Sequence, residues 1–285
     1  MAHRILHGLR EIVDDYDVFV VDQWGVMHDG SAAFAGAREV LLRLRSLGAR
    51  VVLVSNSSRP LRPSVALLRE LGFEDALYDA MITAGELGRR WLSEARAQGR
   101  VQKALSVVEP WDADCSMAEA GVEPTLDPHE ADVLIASGVT PAAEDAFDAV
   151  LSVGVARGIP LLCLNPDLVS VQPDGQLAFC GGTFAERYRR MGGEVRTWGK
   201  PEVAIYAAAL AAAPGWRRGL AIGDSLHHDV AGGRAAGLDT LFVTRGVHWP
   251  EVASAPTERA NTGRLAALLA KHDVWPDQVM TTLTW

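Results

Sequence analysis

Val18-Phe19-Val20-Val21-Asp22-Gln23-Trp24-Gly25-Val26 opens on an unbroken apolar run, which stops at a carboxylate and is followed by a glycine. Apolar runs that do not alternate with polar residues are expected of strands covered on both faces, as in parallel sheets. The same texture recurs with a helix in front of it. Val40 to Leu47, then Gly48, leads into Val51-Val52-Leu53-Val54. Val150 to Arg157, then Gly158, leads into Leu161-Leu162-Cys163-Leu164, and Val230 to Ala236, then Gly237, leads into Leu241-Phe242-Val243. Glycine ends each helix because the position after the last turn favours a positive φ. Helices alternating with such strands predict an α/β fold with a doubly wound, mostly parallel sheet.

The middle of the chain reads differently. It has its own predicted strands, Ala104 to Val108 and Val133 to Ala136, and turn-rich stretches at Glu123-Pro124-Thr125 and Gln172-Pro173-Asp174-Gly175. The expected organisation is a core built from residues 1–80 and 190–285, with residues 81–189 inserted as a second α/β unit. Gly181-Gly182-Thr183 reads as the return from insert to core.

With 285 residues, 48% hydrophobic and 22% charged, the chain can bury a full core. A net charge of -9 without a basic face argues against a nucleic-acid partner. Cys115, Cys163 and Cys180 are far apart and odd in number, which suits a reduced, cytoplasmic setting rather than a disulfide framework. Met1 to Asp17 lacks the apolar core of a signal peptide, and the Ala-rich stretch Val203 to Ala213 is too short to span a bilayer, so no membrane role is expected.

In open α/β sheets, ligands bind beyond the carboxyl ends of the strands. Here Val18 to Val21 runs into Asp22, and Val51 to Val54 into Ser55-Asn56. Leu220 to Ile222 runs into Gly223-Asp224, with Asp229 one turn later, and Val195 to Trp198 runs into Gly199-Lys200. Carboxylates, a hydroxyl and an ammonium around one crevice suit a divalent cation together with a phosphate or similar anion.

Asp22-Gln23-Trp24-Gly25-Val26, Ser55-Asn56, Lys200 and Gly223-Asp224-Ser225-Leu226-His227-His228-Asp229 resemble, in order, the four motifs of the haloacid dehalogenase superfamily. Val54-Ser55-Asn56-Ser57-Ser58-Arg59 and Cys163-Leu164-Asn165-Pro166-Asp167 resemble its class IIA branch, which includes p-nitrophenyl-phosphatase-like, sugar-phosphate, nucleotide and pyridoxal-phosphate phosphatases. The resemblance implies a Rossmannoid core with an inserted C2-type cap, and a Mg2+-dependent hydrolase of a small phosphorylated metabolite. By the same resemblance, Asp22 would form an aspartyl-phosphate. Asp22, the Trp24 backbone carbonyl and Asp224 would hold Mg2+, with Asp229 orienting its waters. Ser55, the Asn56 amide and Lys200 would hold the phosphoryl group. Caps of this kind often form dimer contacts, so a homodimer is one implied state.

One position departs from the phosphatase pattern. Where the resembled phosphatases carry a second Asp that acts as general acid and base, this chain carries Trp24, whose indole exchanges no proton near neutral pH. Two alternatives therefore stand beside the phosphatase: a dehalogenase-like hydrolase, since dehalogenases also carry an aromatic residue here, and a metal- or phosphometabolite-binding protein with little turnover. His28, Asp29, His227 and His228 lie near the motifs as substitute acids. Asp29-Gly30 reads equally as a tight turn, and His227 and His228, as adjacent helical residues, are expected to point apart. Asn165 and Asp167 read either as substrate contacts or as an Asn-Pro-Asp turn.

Overall fold

A computed structural model describes residues 3–108, 115–171, 177–253 and 261–285. Its strands are, in chain order, β1 (Arg4–Ile5), β2 (Val18–Asp22), β3 (Arg50–Ser55), β4 (Ala80–Thr83), β5 (Lys103–Val108), β6 (Glu123–Pro124), β7 (Val133–Ala136), β8 (Val139–Thr140), β9 (Leu161–Cys163), β10 (Val169–Val171), β11 (Leu177–Cys180), β12 (Val195–Thr197), β13 (Gly219–Gly223), β14 (Asp239–Val243) and β15 (Gln278–Met280). The longer helices are α1 (Ala37–Ser46), α2 (Leu61–Glu70), α3 (Ala84–Ala97), α4 (Asp148–Arg157), α5 (Gly181–Arg190), α6 (Val203–Ala211) and α7 (Thr262–His272).

Seven strands form one sheet in the order β1-β15-β14-β13-β2-β3-β4, with β13, β2 and β3 parallel neighbours. Val18, Phe19, Val20 and Val21 are all buried, which is why that run does not alternate. Strand β2 lies where the order reverses: the chain goes on to β3 on one side and returns to β13 on the other. In a parallel sheet this is the point where loops diverge and leave a crevice. Helices α1 and α6 both pack on β3. Gly48, Gly158 and Gly237 take the expected positive φ, at 74°, 66° and 79°.

The chain forms two compact units. One comprises Met1–Ser55, Ser64–Ile82 and Lys200–Trp285, and the other Asn56–Pro63 and Thr83–Gly199. The second unit carries a parallel sheet ordered β12-β9-β7-β5-β6 and a small antiparallel sheet ordered β10-β11-β8. Its membership extends past residue 189, because β12 pairs in parallel with β9, Val195 opposite Leu161 and Thr197 opposite Cys163. Val195–Thr197 is thus a strand of this sheet rather than of the sheet that carries Asp22. Gly181-Gly182-Thr183 starts α5 of the same unit instead of returning to the core. Glu123-Pro124, expected as turn, pairs with β5. Residues 172–176, which include the second turn-rich stretch, lie outside the described residues. Asn56–Pro63 joins this unit through its backbone: Gly85 N–H donates to the Ser57 carbonyl at 3.0 Å, and Thr83 Oγ1–H to the Arg59 carbonyl at 2.9 Å.

Cys163 and Cys180 are free and buried, and the side chain of Cys115 lies outside the described ones. No helix among the described residues is long and apolar enough to cross a membrane.

Tyr188 anchors the second core. It is fully buried, and its hydroxyl donates to the Ile159 carbonyl at 2.6 Å. A Cβ added at Gly193 would lie 2.3 Å from its ring, and one at Gly154 would lie 2.9 Å from its hydroxyl, so both neighbours must be glycine for the ring to fit. Tyr188→Phe leaves that carbonyl buried and unpaired. It is expected to cost about 1–3 kcal/mol in urea unfolding, while Gly193→Ala destabilises through overlap with the ring.

Candidate active site

The register brings two strand ends together. Val21 of β2 lies opposite Ile222 of β13, so Asp22 and Gly223 end side by side and Asp224 follows directly. On the other side Asp22 lies opposite Val54 of β3, one residue before Ser55. After Asp224 the chain makes a wide helical turn, Leu226–Ala231, in which both Asp229 and Val230 N–H donate to the Ser225 carbonyl. Ser225 caps this turn, with its hydroxyl accepting from His228 N–H at 3.1 Å. The turn folds Asp229 back, and its Oδ2 accepts from Ser225 N–H at 3.0 Å. Tyr206 of α6 braces the turn through a 2.8 Å bond to the His228 carbonyl.

Lys200 joins them. Its Nζ lies 2.6 Å from Asp22 Oδ1 and 2.7 Å from Asp229 Oδ1, with all three side chains buried. Carboxylate oxygens of Asp22, Asp224 and Asp229 lie within 4.8 Å of one another. Glycines make this crowding sterically feasible. A Cβ at Gly25 would fall 2.0 Å from Asp224 Oδ2, one at Gly246 1.8 Å from the same atom, and one at Gly223 2.0 Å from Asp229 Cγ. Gly25 also needs its φ of 79°.

One ammonium faces three carboxylates, so when all are ionised two negative charges stay uncompensated. Burial pushes the Asp22 carboxyl up to about 7, against the pull of Lys200 and with the repulsion of Asp229. Burial, then Asp22 and Asp229, hold Asp224 well above the usual carboxylate range. Burial opposes the charge on Lys200, but Asp22 and Asp229 outweigh it and keep the ammonium protonated. The lysine is over-satisfied and the carboxylates under-satisfied. A divalent cation bound by hard oxygens is the group that corrects this imbalance.

Trp24 is 56% exposed and is therefore not core packing. Its ring meets that of His28 edge to face at 5.9 Å and rests on Gly30, where a Cβ would come within 2.2 Å of the indole. His28 is a poor substitute acid. It is buried, burial lowers it to about 4, and its Nδ1 accepts from Gly30 N–H, so the neutral ring carries its proton on Nε2. Asp29 forms a turn, with Oδ1 accepting from Ser31 N–H, Ser31 Oγ–H and Ala32 N–H; these bonds hold it below the usual range and so ionised. The rings of His227 and His228 do not point apart: their centroids are 5.1 Å apart, because the wide turn departs from α-helical spacing.

In the second unit, Asn56 Nδ2 donates to Asp167 Oδ1 at 2.9 Å, and Asn165 Oδ1 accepts from Asp167 N–H at 3.2 Å. Asn165-Pro166-Asp167 is thus an Asn-initiated turn that also holds the Asn56 amide. Sequence reading missed Gly246 and Val247, whose N–H donates to Asp224 Oδ2 at 2.7 Å. They follow the end of β14, so the strand-end rule applied to Leu241-Phe242-Val243 would have found them.

The chain is similar to known proteins over most of its length. Residues 19–122 match a model of haloacid dehalogenase-like hydrolases, and residues 197–283 match a second model of HAD-like hydrolases. A D-glycerol 3-phosphate phosphatase of Mycobacterium tuberculosis is 26% identical over 88% of this chain and 70% of its own. The structure of glycerol phosphate phosphatase from M. tuberculosis in complex with magnesium aligns with a TM-score of 0.65 and 25% identity, over 87% of this chain and 75% of that one. A haloacid dehalogenase-like hydrolase from Brucella suis aligns over all of both chains with a TM-score of 0.79 and 27% identity. With both of its ends matched and its whole length aligned, the chain belongs to the haloacid dehalogenase-like hydrolases.

Proposed function

We propose that this protein is a Mg2+-dependent phosphomonoester hydrolase that acts on a small phosphorylated metabolite through Asp22. The observation that carries the reading is the meeting of Asp22, Asp224, Asp229 and Lys200 in one buried cluster with excess negative charge. The M. tuberculosis phosphatase, with magnesium in its solved structure, supports both the reaction class and the metal. Asp22, Asp224 and the Trp24 carbonyl would hold the cation, with Asp229 behind them. When bound, the cation offsets repulsion between an anionic nucleophile and an anionic ester.

A carboxylate oxygen of Asp22 bonds to phosphorus as the ester P–O bond breaks. Lys200 holds Asp22 in place and adds a positive charge beside the transferring group. Ser55 and the Asn56 amide would bind phosphoryl oxygens. Water then attacks phosphorus, the aspartyl O–P bond breaks, and phosphate leaves. Trp24 gives no proton, so the departing oxygen takes one from solvent, and esters with acidic leaving groups react fastest. The inserted unit selects the substrate in this reading, with Asn165 and Asp167 as its recognition residues.

The exposed indole two residues after Asp22 favours a second reading, a hydrolase cleaving carbon–halogen bonds. Halide release in EDTA would establish it.

A panel of aryl and alkyl phosphates with and without Mg2+ tests the first reading. Phosphate release is expected to need Mg2+ and to fall by roughly 10³-fold or more in Asp22→Asn. Trp24→Asp should raise alkyl phosphate turnover by about 10²–10⁴-fold while changing aryl phosphates little. Intact turnover in Asp22→Asn would end the assignment.

Crowding also sets a pH dependence. A carboxyl raised from its ordinary value near 4 to about 7 means that the folded chain binds more protons than the unfolded chain in that window, so stability falls as pH rises through it. In EDTA the melting temperature should drop between about pH 5 and about pH 8, and Mg2+ should recover it at the upper end. Asp22→Asn should melt higher than the natural chain in EDTA and respond less to Mg2+. A natural chain in EDTA that gains stability over this range would contradict the charge account.

Gly246→Ala places a methyl against Asp224. It should weaken Mg2+ by roughly tenfold or more, read as the Mg2+ concentration for half-maximal activity.

A further inference from the structure

A second group of ligating side chains lies in the same unit, outside the carboxylate cluster. His248 precedes the short helix Trp249–Val252, Glu251 lies within it, and His272 ends α7. One ligand atom from each lies within 4.8 Å of the other two. His248 Nδ1 is 2.8 Å from Glu251 Oε1, and the His248 and His272 rings meet edge to face at 5.3 Å. Two imidazoles and one carboxylate are the donors that Zn2+ and its neighbours prefer, whereas Mg2+ prefers oxygen alone.

We propose that His248, Glu251 and His272 form a second cation site, selective for Zn2+-like ions, which fixes the loop around Asp224. Groups behind the ligands already orient them. Leu226 N–H points at His248 Nε2 at 3.4 Å, which turns Nδ1 toward Glu251, and Phe242 packs edge to face on the same ring at 5.8 Å. Lys271 Nζ holds Glu251 Oε2 at 2.9 Å, leaving Oε1 on the His248 side. Such outer partners set side-chain orientation in metal sites. Lys271 also brings a positive charge that tempers affinity. On binding at Nδ1, the single ring proton of His248 moves from Nδ1 to Nε2, so the ring ligates as a neutral imidazole, and the 3.4 Å contact from Leu226 N–H to Nε2 is given up.

The site is tied to the crevice through the backbone. His248 follows Val247, whose N–H holds Asp224 Oδ2, and Gly246, which abuts the same carboxylate. Leu226, whose N–H faces His248, opens the turn that carries Asp229. A cation on His248, Glu251 and His272 therefore pins the Gly246-Val247 segment that lines Asp224.

The test is calorimetric titration of Zn2+ into the full chain with Mg2+ in excess, which needs no turnover and so stands apart from the proposed reaction. One Zn2+ per chain is expected, with a Kd raised roughly tenfold or more in His272→Ala and in Glu251→Gln, and left unchanged in Asp22→Asn. Both substituted side chains are exposed, so folding should persist, and circular dichroism checks it. Absence of Zn2+ binding in excess Mg2+ overturns the proposal. So does binding that survives His272→Ala but is lost in Asp22→Asn, because that ion sits among the carboxylates.

Discussion

Three buried carboxylates held around one ammonium are the constraint on which the first unit depends. Ionised groups of like sign in a low-dielectric site repel strongly, and covalent strand ends, close glycines, the Ser225 and Val247 N–H donors and a buried Lys200 keep them together. Burial raises Asp22 and Asp224; repulsion from Asp229 adds to both, and repulsion from Asp22 adds to Asp224. This part of the chain is arranged against its own stability, a feature typical of sites that bind a cation or carry out chemistry.

The fold manages this because the sheet is parallel. Neighbouring parallel strands end at the same edge, so β2, β13 and β3 deliver Asp22, Asp224 and Ser55 to adjacent places from positions distant in sequence. Val18–Val21, Val51–Val54 and Leu220–Ile222 within these strands are apolar and buried, so the polar ends stand on a rigid base. Glycine then decides how close the loops come. Gly25 and Gly246 touch Asp224 from two separate loops, and Gly223 lies under Asp229.

Much of this was legible from the chain. Non-alternating runs marked the buried strands, and their final residues marked the crevice, because both follow from local sequence and a general rule of parallel sheets. What could not be read was which sheet a strand joins. Val195 to Thr197 looks like any other strand leading into a polar residue, and only its pairing with Leu161 to Cys163 assigns it to the second unit. Asn56–Pro63 was hidden for a related reason: its attachment runs through the backbones of Ser57 and Arg59, to Gly85 and the Thr83 hydroxyl, and side-chain pattern carries no trace of that. The contact between His227 and His228 escaped because α-helical spacing does not hold in the wide turn.

Trp24 is best understood from its surroundings rather than as a lost carboxylate. Loss of an acid by simple drift would leave a loop still shaped for a small side chain. Here Gly30, with a φ of 89°, leaves a space that the indole fills, and a methyl there would collide with it. His28, buried and neutral, presents its ring to the indole edge while its Nδ1 ties down Gly30. Backbone bridges from Trp24 to His28 and from His28 to Ala33 close the loop on itself. Two residues, His28 and Gly30, are thus fitted to the aromatic ring, and neither supplies a proton. The loop after Asp22 is built around an apolar plane, and on the proposed mechanism the lack of an acid there selects leaving groups able to depart as anions over those that need one.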